Sequence, residues 1–218
     1  MSEVTNAFLL IYAGLLPIVN PLGSAPLFLG LTHRCSDNER RQLARSIAWN
    51  SLFLLLGSLL AGSYILEFFG ITLPALRVAG GLVVMAFGWK MLHAPSTPAE
   101  QAAAGPSNGA TAANSFYPLT IPLTVGPGSI SVAVALGSQR PPLEPEFARF
   151  FLVGAGAITG LIAIAVTVWV CYRFAGRIVR ALGKQGSDVL MRLSAFILIC
   201  IGVQIAWNGI SALVASVR

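Results

Sequence analysis

Two apolar segments of this chain are interrupted by the same kinds of residue, namely proline, glycine and serine. The first reads PIVNPLGSAPLF over residues 17–28, and the second reads PLTVGPGSIS over residues 122–131. Proline removes a backbone donor and clashes with the preceding helical turn, and glycine weakens a helix. Irregular backbone at membrane depth is tolerated only where protein or a water-filled cavity covers it. Two related breaks, one in each half, therefore predict unwound helices that meet at a shared site.

The composition is that of a chain that lies in a lipid bilayer. Of its 218 residues, 56% are hydrophobic and only 10% are charged, whereas soluble domains carry about 25% charged residues. A bilayer core is crossed by about 20 apolar residues. We predict an all-α membrane protein with six transmembrane helices, of which the first and fourth are broken. The predicted spans lie near residues 6–31, 46–69, 72–92, 116–138, 147–171 and 189–214.

The basic residues are distributed unevenly between the predicted loops. Residues 32–45 hold four arginines and residues 173–192 hold five basic residues, whereas the turn near Gly70 holds none. Cytoplasmic loops of membrane proteins collect Lys and Arg, so both termini are predicted to lie outside. The same bias explains the net charge of +6 without a nucleic-acid partner.

A change of composition divides the chain at its midpoint. Residues 94–114 are rich in Ala, Pro, Gly and Ser, which predicts a flexible cytoplasmic linker. The linker separates a first three-helix repeat, residues 1–93, from a second, residues 115–218. Because each half contains an odd number of spans, the second half is inserted upside down relative to the first, as an inverted repeat.

Two short alignments support the repeat. The break motifs match with small gaps, and residues 76–80 align with residues 191–195 without gaps, which pairs Arg77 with Arg192. The alternative is chance similarity between apolar helices of simple composition.

The predicted inversion makes the two breaks face each other across one cavity. Half-helix N-termini suit a carboxylate, whereas freed carbonyls suit an ammonium group or a cation. A small zwitterionic solute, such as an amino acid, has both groups. An alternative is that the polar groups only satisfy backbone atoms freed by the prolines. The predicted substrate-binding residues flank the breaks: Asn20, Pro21, Gly23, Ser24, Thr124, Gly126, Pro127, Gly128 and Ser129.

Further polar residues in the predicted spans are candidates for a solute pathway. Intramembrane charge is costly and often functional, but the arginines also fit snorkelling to an interface, and Arg77 fits an ion pair with Glu67. The amides fit interhelical hydrogen bonds equally well. The aromatic residues Trp89, Trp169, Trp207 and Tyr172 fit interfacial belts or packing. The pathway candidates are Asn50, Arg77, Arg192, Gln204 and Asn208.

The motifs around the breaks resemble those of the MarC family of bacterial and archaeal inner-membrane proteins, which is grouped with LysE-type exporters. The family motif N/D-P-x-G-x-x-P-x-F is present in the first span as Asn20, Pro21, Gly23, Pro26 and Phe28. A second motif, P-L-x-x-P-x-x-x-G-P-G-S/A-I, runs from Pro118 to Ile130. This resemblance implies six spans, the inner membrane and small neutral amino acids as substrates. Family members can carry Asp where this chain has Asn20, so a charge is absent from the predicted cavity.

The expected function is a secondary transporter, either an exporter or an exchanger of small neutral amino acids, that works by alternating access. No GxxxxGK[ST] loop occurs and no Asp or Glu lies mid-span, so direct ATP use and a carboxylate proton relay are not supported. The coupling ion stays open between sodium and none. The predicted spans offer no nucleophile–base pair, metal cluster or cofactor motif, so no enzyme and no cofactor are expected. The alternative function is a channel or a non-transporting membrane scaffold, and small-residue faces also permit a homo-oligomer.

Overall fold

The computed structural model describes residues 2–33, 35–93, 115–121, 123–138 and 147–217, and every regular element in these ranges is helical. The predicted linker, residues 94–114, lies outside them, so the division into two repeats stays a prediction. In chain order the helices are α1 (Glu3–Val19), α2 (Pro21–Leu31), α3 (Asp37–Phe68), α4 (Leu73–Leu92), α5 (Pro127–Gly137), α6 (Phe147–Arg173) and α7 (Ala175–Val217).

Five stretches of helix are long and apolar enough to cross a membrane, and the fourth predicted span, residues 116–138, is not among them. Its main helix, α5, rises only about 16 Å, roughly half of a bilayer core. A wide, π-type helical turn, Ser115–Thr120, precedes it and is interrupted at Tyr117, whose backbone is extended (φ −128°, ψ 129°). Pro118 explains this conformation, because a residue before proline avoids the α region. The described chain thus has five candidate spans and one shorter apolar helix. The five are Glu3–Leu31, Asp37–Phe68, Leu73–Leu92, Phe151–Arg173 and Gln185–Ser216.

We predicted the basic segment 173–192 as a loop. This prediction is wrong, because most of the segment is helical in the structure. α7 begins at Ala175 and runs through the segment with one interruption, at Gly183 (φ 68°, ψ −178°). Glycine adopts such positive φ values without a steric penalty. Alanine, arginine and leucine, which are frequent here, are strong helix formers. The charge therefore marks an exposed helix surface, with a bend at the glycine.

α3 also begins earlier than predicted, inside the basic segment 32–45. Ser36 and Glu39 form a capping box there: the Glu39 N–H donates to Ser36 Oγ (3.3 Å), and the Ser36 N–H donates to the Glu39 carboxylate (2.7 Å). Such a box satisfies two amides that the first helical turn leaves unpaired. At the other end of α3, Tyr64 and Phe68 are 72% and 84% exposed. The helix thus begins among charged residues and ends among exposed aromatic ones.

The helices pack in a defined set of pairs. α4 packs on α7, α1 on α6, and α3 on both α5 and α6; the half-helices α2 and α5 pack on α7 and α4, respectively. The main hydrophobic core lies where α1, α2, α3 and α6 meet. Its largest fully buried side chains include Leu15, Phe28, Ile47, Leu55, Leu161, Ile164 and Tyr172.

Glycines allow α4 and α7 to approach closely. A Cβ atom added to Gly81 would lie 2.5 Å from the Ala206 backbone nitrogen and 2.6 Å from the Gly202 carbonyl oxygen, and one added to Gly209 would lie 2.7 Å from the Pro74 carbonyl oxygen. Small residues at helix interfaces permit such backbone contact in membranes. Because the residue numbers rise in α4 as they fall in α7 along these contacts, the two helices run antiparallel.

Candidate functional site

The first break lies at Asn20, between α1 and α2. Its backbone is left-handed (φ 45°, ψ 55°), and no other non-glycine residue in the described ranges has a positive φ. Asn20 Oδ1 accepts a hydrogen bond from the Gly23 N–H (3.2 Å) and so caps α2, while Pro21 begins that helix where no amide donor is needed. Asn20 Nδ2 is buried and has no hydrogen-bond partner among the described residues. A buried amide donor without an acceptor is rare, so this atom is available to a ligand.

The residues that follow the first break are held between α7 and α6. A Cβ atom on Gly23 would lie 2.5 Å from the Ser194 side chain of α7, so the close approach at this position requires glycine. Ser24 is 1% exposed, and α2, which carries it, also packs on α6.

The second break is the irregular backbone just before α5. Thr124 is buried, and its hydroxyl donates to the Leu119 carbonyl oxygen (2.9 Å). The Ser129 hydroxyl donates to the Gly126 carbonyl oxygen (2.9 Å). Gly126 is the N-cap of α5 and forms no side-chain cap bond, and Pro127 follows as the first helical residue. The N-terminus of α5 therefore lacks the side-chain acceptor that caps most helices.

Tyr172 joins the two breaks. Its hydroxyl forms a hydrogen bond of 2.9 Å with Thr124 Oγ1 in the second break. The side chain is fully buried, and its ring stacks on Phe28, with the centroids 4.6 Å apart and the planes at 5°. The prediction of an interfacial or packing role missed this link. Helical spacing indicated that Tyr172 is buried, because Leu161, Ile164, Val168 and Tyr172 share one face of α6, but it did not indicate which residues Tyr172 contacts.

A small cavity of about 60 Å³ lies at the second break. A water molecule needs about 10–15 Å³ of such space, so the cavity accommodates a few waters. The break residues Thr124, Gly126, Pro127, Gly128 and Ser129 line it, whereas the first-break residues Asn20, Pro21, Gly23 and Ser24 do not. The remaining lining is apolar. It consists of Leu123 at the break and of residues from three other helices: Ile18, Val83, Val84, Phe87 and Leu198.

The predicted pathway residues lie apart from this cavity. Asn50 Nδ2 donates to Thr120 Oγ1 (3.3 Å), which ties α3 to the turn before the second break. Gln204 Nε2 donates to Asn208 Oδ1 (2.9 Å) on the exposed face of α7, and Arg192 is exposed on the same helix. The ion pair between Arg77 and Glu67, which the sequence left open as an alternative, is not formed between these two described residues.

We expect Tyr172→Phe to destabilise the protein by about 1–3 kcal/mol, because it removes the buried hydrogen bond to the Thr124 hydroxyl. Thermal unfolding of the purified protein in detergent measures this loss. Tyr12→Phe is the matched control, since the Tyr12 hydroxyl has a longer contact of 3.2 Å with the half-buried Thr167 and its removal is expected to cost less. Equal unfolding midpoints for the two variants would contradict the central role of Tyr172.

Comparison with known proteins gives the same family along nearly the whole chain. The sequence profile described as "MarC family integral membrane protein" matches residues 5–214. Proteins named "UPF0056 inner membrane protein MarC" from Salmonella paratyphi B and Salmonella typhimurium are 34% identical, over 96% of this chain and 96% of theirs. The protein of the same name from Escherichia coli O1:K1 is 34% identical over 90% of both chains.

No solved structure matches this chain. The family assignment therefore depends on sequence, and the several long apolar helices described above agree with it. Because the profile covers most of the chain and the relatives are inner-membrane proteins of the same length, this multi-span helical protein belongs to the MarC family of integral membrane proteins of the inner membrane.

Proposed function

We propose that this protein is a secondary transporter, an exporter or exchanger of small neutral amino acids, rather than an enzyme. The observation that carries the proposal is the buried Tyr172 side chain, whose ring stacks on Phe28 after the first break and whose hydroxyl hydrogen-bonds Thr124 in the second. Two interrupted helices thus meet at one buried side chain. In transporters, discontinuous helices that meet near the midplane form the binding site for substrate and ions.

The helix packing supports an inverted repeat, in which a contact made by one half has an equivalent contact made by the other half. The contact of α1 with α6 has its counterpart in the contact of the turn Ser115–Thr120 with α3, and α2 on α7 has its counterpart in α5 on α4. α4 and α7, the third helix of each proposed half, pack on each other and run antiparallel, as an inversion requires. In this arrangement the turn Ser115–Thr120 and α5 are the two parts of one broken span.

The polar groups at the breaks fit the two ends of a zwitterion. The unpaired Nδ2 donor of Asn20 and the N-terminus of α5, which lacks a side-chain cap, both suit a carboxylate. Backbone carbonyls freed by the break before α5 suit an ammonium group. The apolar lining from α4, including Val84 and Phe87, suits a short uncharged side chain.

The size of the cavity requires a conformational change for transport. At about 60 Å³ it is far smaller than the 300–1,000 Å³ or so of typical ligand pockets. An amino acid therefore enters only when the half-helices separate. Rocking of one repeat against the other, which opens the site to one side of the membrane at a time, provides that separation.

The proposed orientation has both termini outside. Arg41 and Arg45, near the start of α3, share a groove with Arg173 at the end of α6, so these basic residues lie at one end of the bundle. The positive-inside rule assigns that end to the cytoplasm.

Counterflow in liposomes tests the proposal. We expect the reconstituted protein to exchange labelled alanine, glycine or serine saturably, and Ser129→Ala to reduce the exchange rate at least about tenfold through loss of a polar group at the cavity. Ser58→Ala is the matched control. Like Ser129, Ser58 donates its hydroxyl to a nearby backbone carbonyl oxygen of the same chain segment, that of Leu54 (2.7 Å), but Ser58 lies away from the breaks.

Three outcomes separate the alternatives. Saturable exchange that Ser129→Ala loses and Ser58→Ala keeps supports the transporter. Flux that neither saturates nor shows counterflow indicates a channel. The absence of any amino-acid flux through folded protein contradicts the proposed substrate class and favours a scaffold.

A further inference from the structure

A groove of about 560 Å³ lies between α3 and α6, apart from the two breaks. Three arginines form its rim: Arg41 and Arg45 from the first turns of α3, and Arg173 from the last turn of α6. None of the break residues lines it. The volume lies within the range of about 300–1,000 Å³ that is typical of ligand sites.

Apart from Gln42, the rest of the groove lining is apolar, and it faces outward from the bundle. Trp49 and Val166, on the two opposing helices, are 50% and 51% exposed, and Ile162 is 45% exposed. In a protein of the inner membrane, an outward apolar surface of a spanning helix faces lipid chains. Trp49 and Trp169 flank the arginines, as interfacial tryptophans do at headgroup depth.

The charge of the rim is not neutralised by the groove itself, since no carboxylate is among its described lining residues. The nearby acidic residues have other partners: Asp37 pairs with Arg40 (3.2 Å), and Glu39 bonds Ser36. The Arg173 guanidinium lies over the Trp169 ring, 5.1 Å from its centroid. This contact holds one positive charge at the mouth of the groove while leaving its N–H groups available.

We infer that this groove is a binding site for one anionic glycerophospholipid. The phosphate accepts hydrogen bonds from Arg41, Arg45 and Arg173, because a guanidinium matches phosphate oxygens with two parallel donors. An acyl chain lies along Trp49, Leu52 and Val166. Basic pockets between spanning helices on the cytoplasmic side are suited to anionic headgroups. The inference is independent of the proposed transport function.

Native mass spectrometry of the full chain in detergent tests the site, with dioleoyl phosphatidylglycerol as the anionic probe and dioleoyl phosphatidylcholine as the neutral one. We expect the double variant Arg45→Ala/Arg173→Ala to bind phosphatidylglycerol about 10- to 30-fold more weakly. The control double variant, Arg177→Ala/Arg180→Ala, removes the same charge from α7 outside the groove and is expected to bind as the unaltered protein does.

A second variant separates the contribution of the acyl-chain contact to lipid binding from that of the arginine charges. Val166→Trp fills the apolar part and keeps all three arginines, so we expect it to weaken phosphatidylglycerol binding while leaving the unfolding midpoint unchanged. Equal losses in the groove and control double variants would overturn the inference in favour of a diffuse basic surface. Displacement of the lipid by equimolar inorganic phosphate, or unaltered binding to Val166→Trp, would overturn the role of the acyl chain.

Discussion

Replacing Gly81 by leucine is expected to destabilise the bundle by about 3 kcal/mol or more, the range of severe overpacking. The Cβ atom alone would lie 2.5 Å from a backbone nitrogen and 2.6 Å from a carbonyl oxygen of α7. Backbone atoms cannot move aside as the end of a side chain does, so α4 and α7 must separate. In a chain of this size the loss corresponds to a fall of about 6–12 °C in the unfolding midpoint.

Gly57→Leu is the matched control for this substitution. Gly57 lies within α3, and an added Cβ would meet nothing within 4 Å. Leucine is a better helix former than glycine, so this variant is expected to be neutral or stabilised by about 0.5–1 kcal/mol. Thermal unfolding followed by size-exclusion chromatography measures both variants. Similar midpoints for Gly81→Leu and Gly57→Leu would show that α4 and α7 are not held in close contact.

Substitutions of Asn20 are expected to have the largest effect on transport, and they separate its two roles. Asn20→Ala removes the side-chain cap of α2. It also places alanine, whose side chain cannot hydrogen-bond the local backbone, in the left-handed conformation. Together these changes lower the free energy of unfolding by about 1–3 kcal/mol. Asn20→Gly keeps the backbone and loses only a few tenths of a kcal/mol. Both remove the Nδ2 donor, so both are expected to lose amino-acid exchange at least about tenfold.

The comparison between the two variants decides the role of the side chain. A glycine variant that is stable but inactive in counterflow supports direct binding by the amide. A glycine variant with full exchange would mean that Asn20 serves only the backbone of the break.

The breaks were predictable because their cause is local. Pro21 disfavours the right-handed helical conformation at the preceding residue, Asn20, in any packing arrangement, and the structure breaks the helix at that residue. The contacts between distant elements were not predictable in the same way. Tyr172 sits beside a basic segment, where an aromatic residue normally marks the membrane interface, and only the approach of α2 buries its ring against Phe28.

The basic segments illustrate a second limit of the sequence. A run of arginines is compatible with a loop or with an exposed helix, since arginine is a good helix former and water solvates it in either state. The capping box at Ser36 and the positive φ at Gly183 decide where the helices begin and bend. Arg41 and Arg173 line the same groove only because α3 packs against α6. The two residues are far apart in the sequence, so the sequence alone does not predict that they lie together.

The charged start and aromatic end of α3 also fix the depth at which the whole bundle sits. No charged residue lies between Arg45 and Glu67, and this uncharged stretch rises about 32 Å, close to the hydrocarbon thickness of about 30 Å. α3 is therefore matched to the bilayer when it stands nearly upright. In a thinner membrane the helix must tilt, and a tilt of α3 would shift its contacts with α5 and α6 together. Bilayer thickness thus acts directly on the helix that contacts both α5 of the second break and α6, which carries Tyr172.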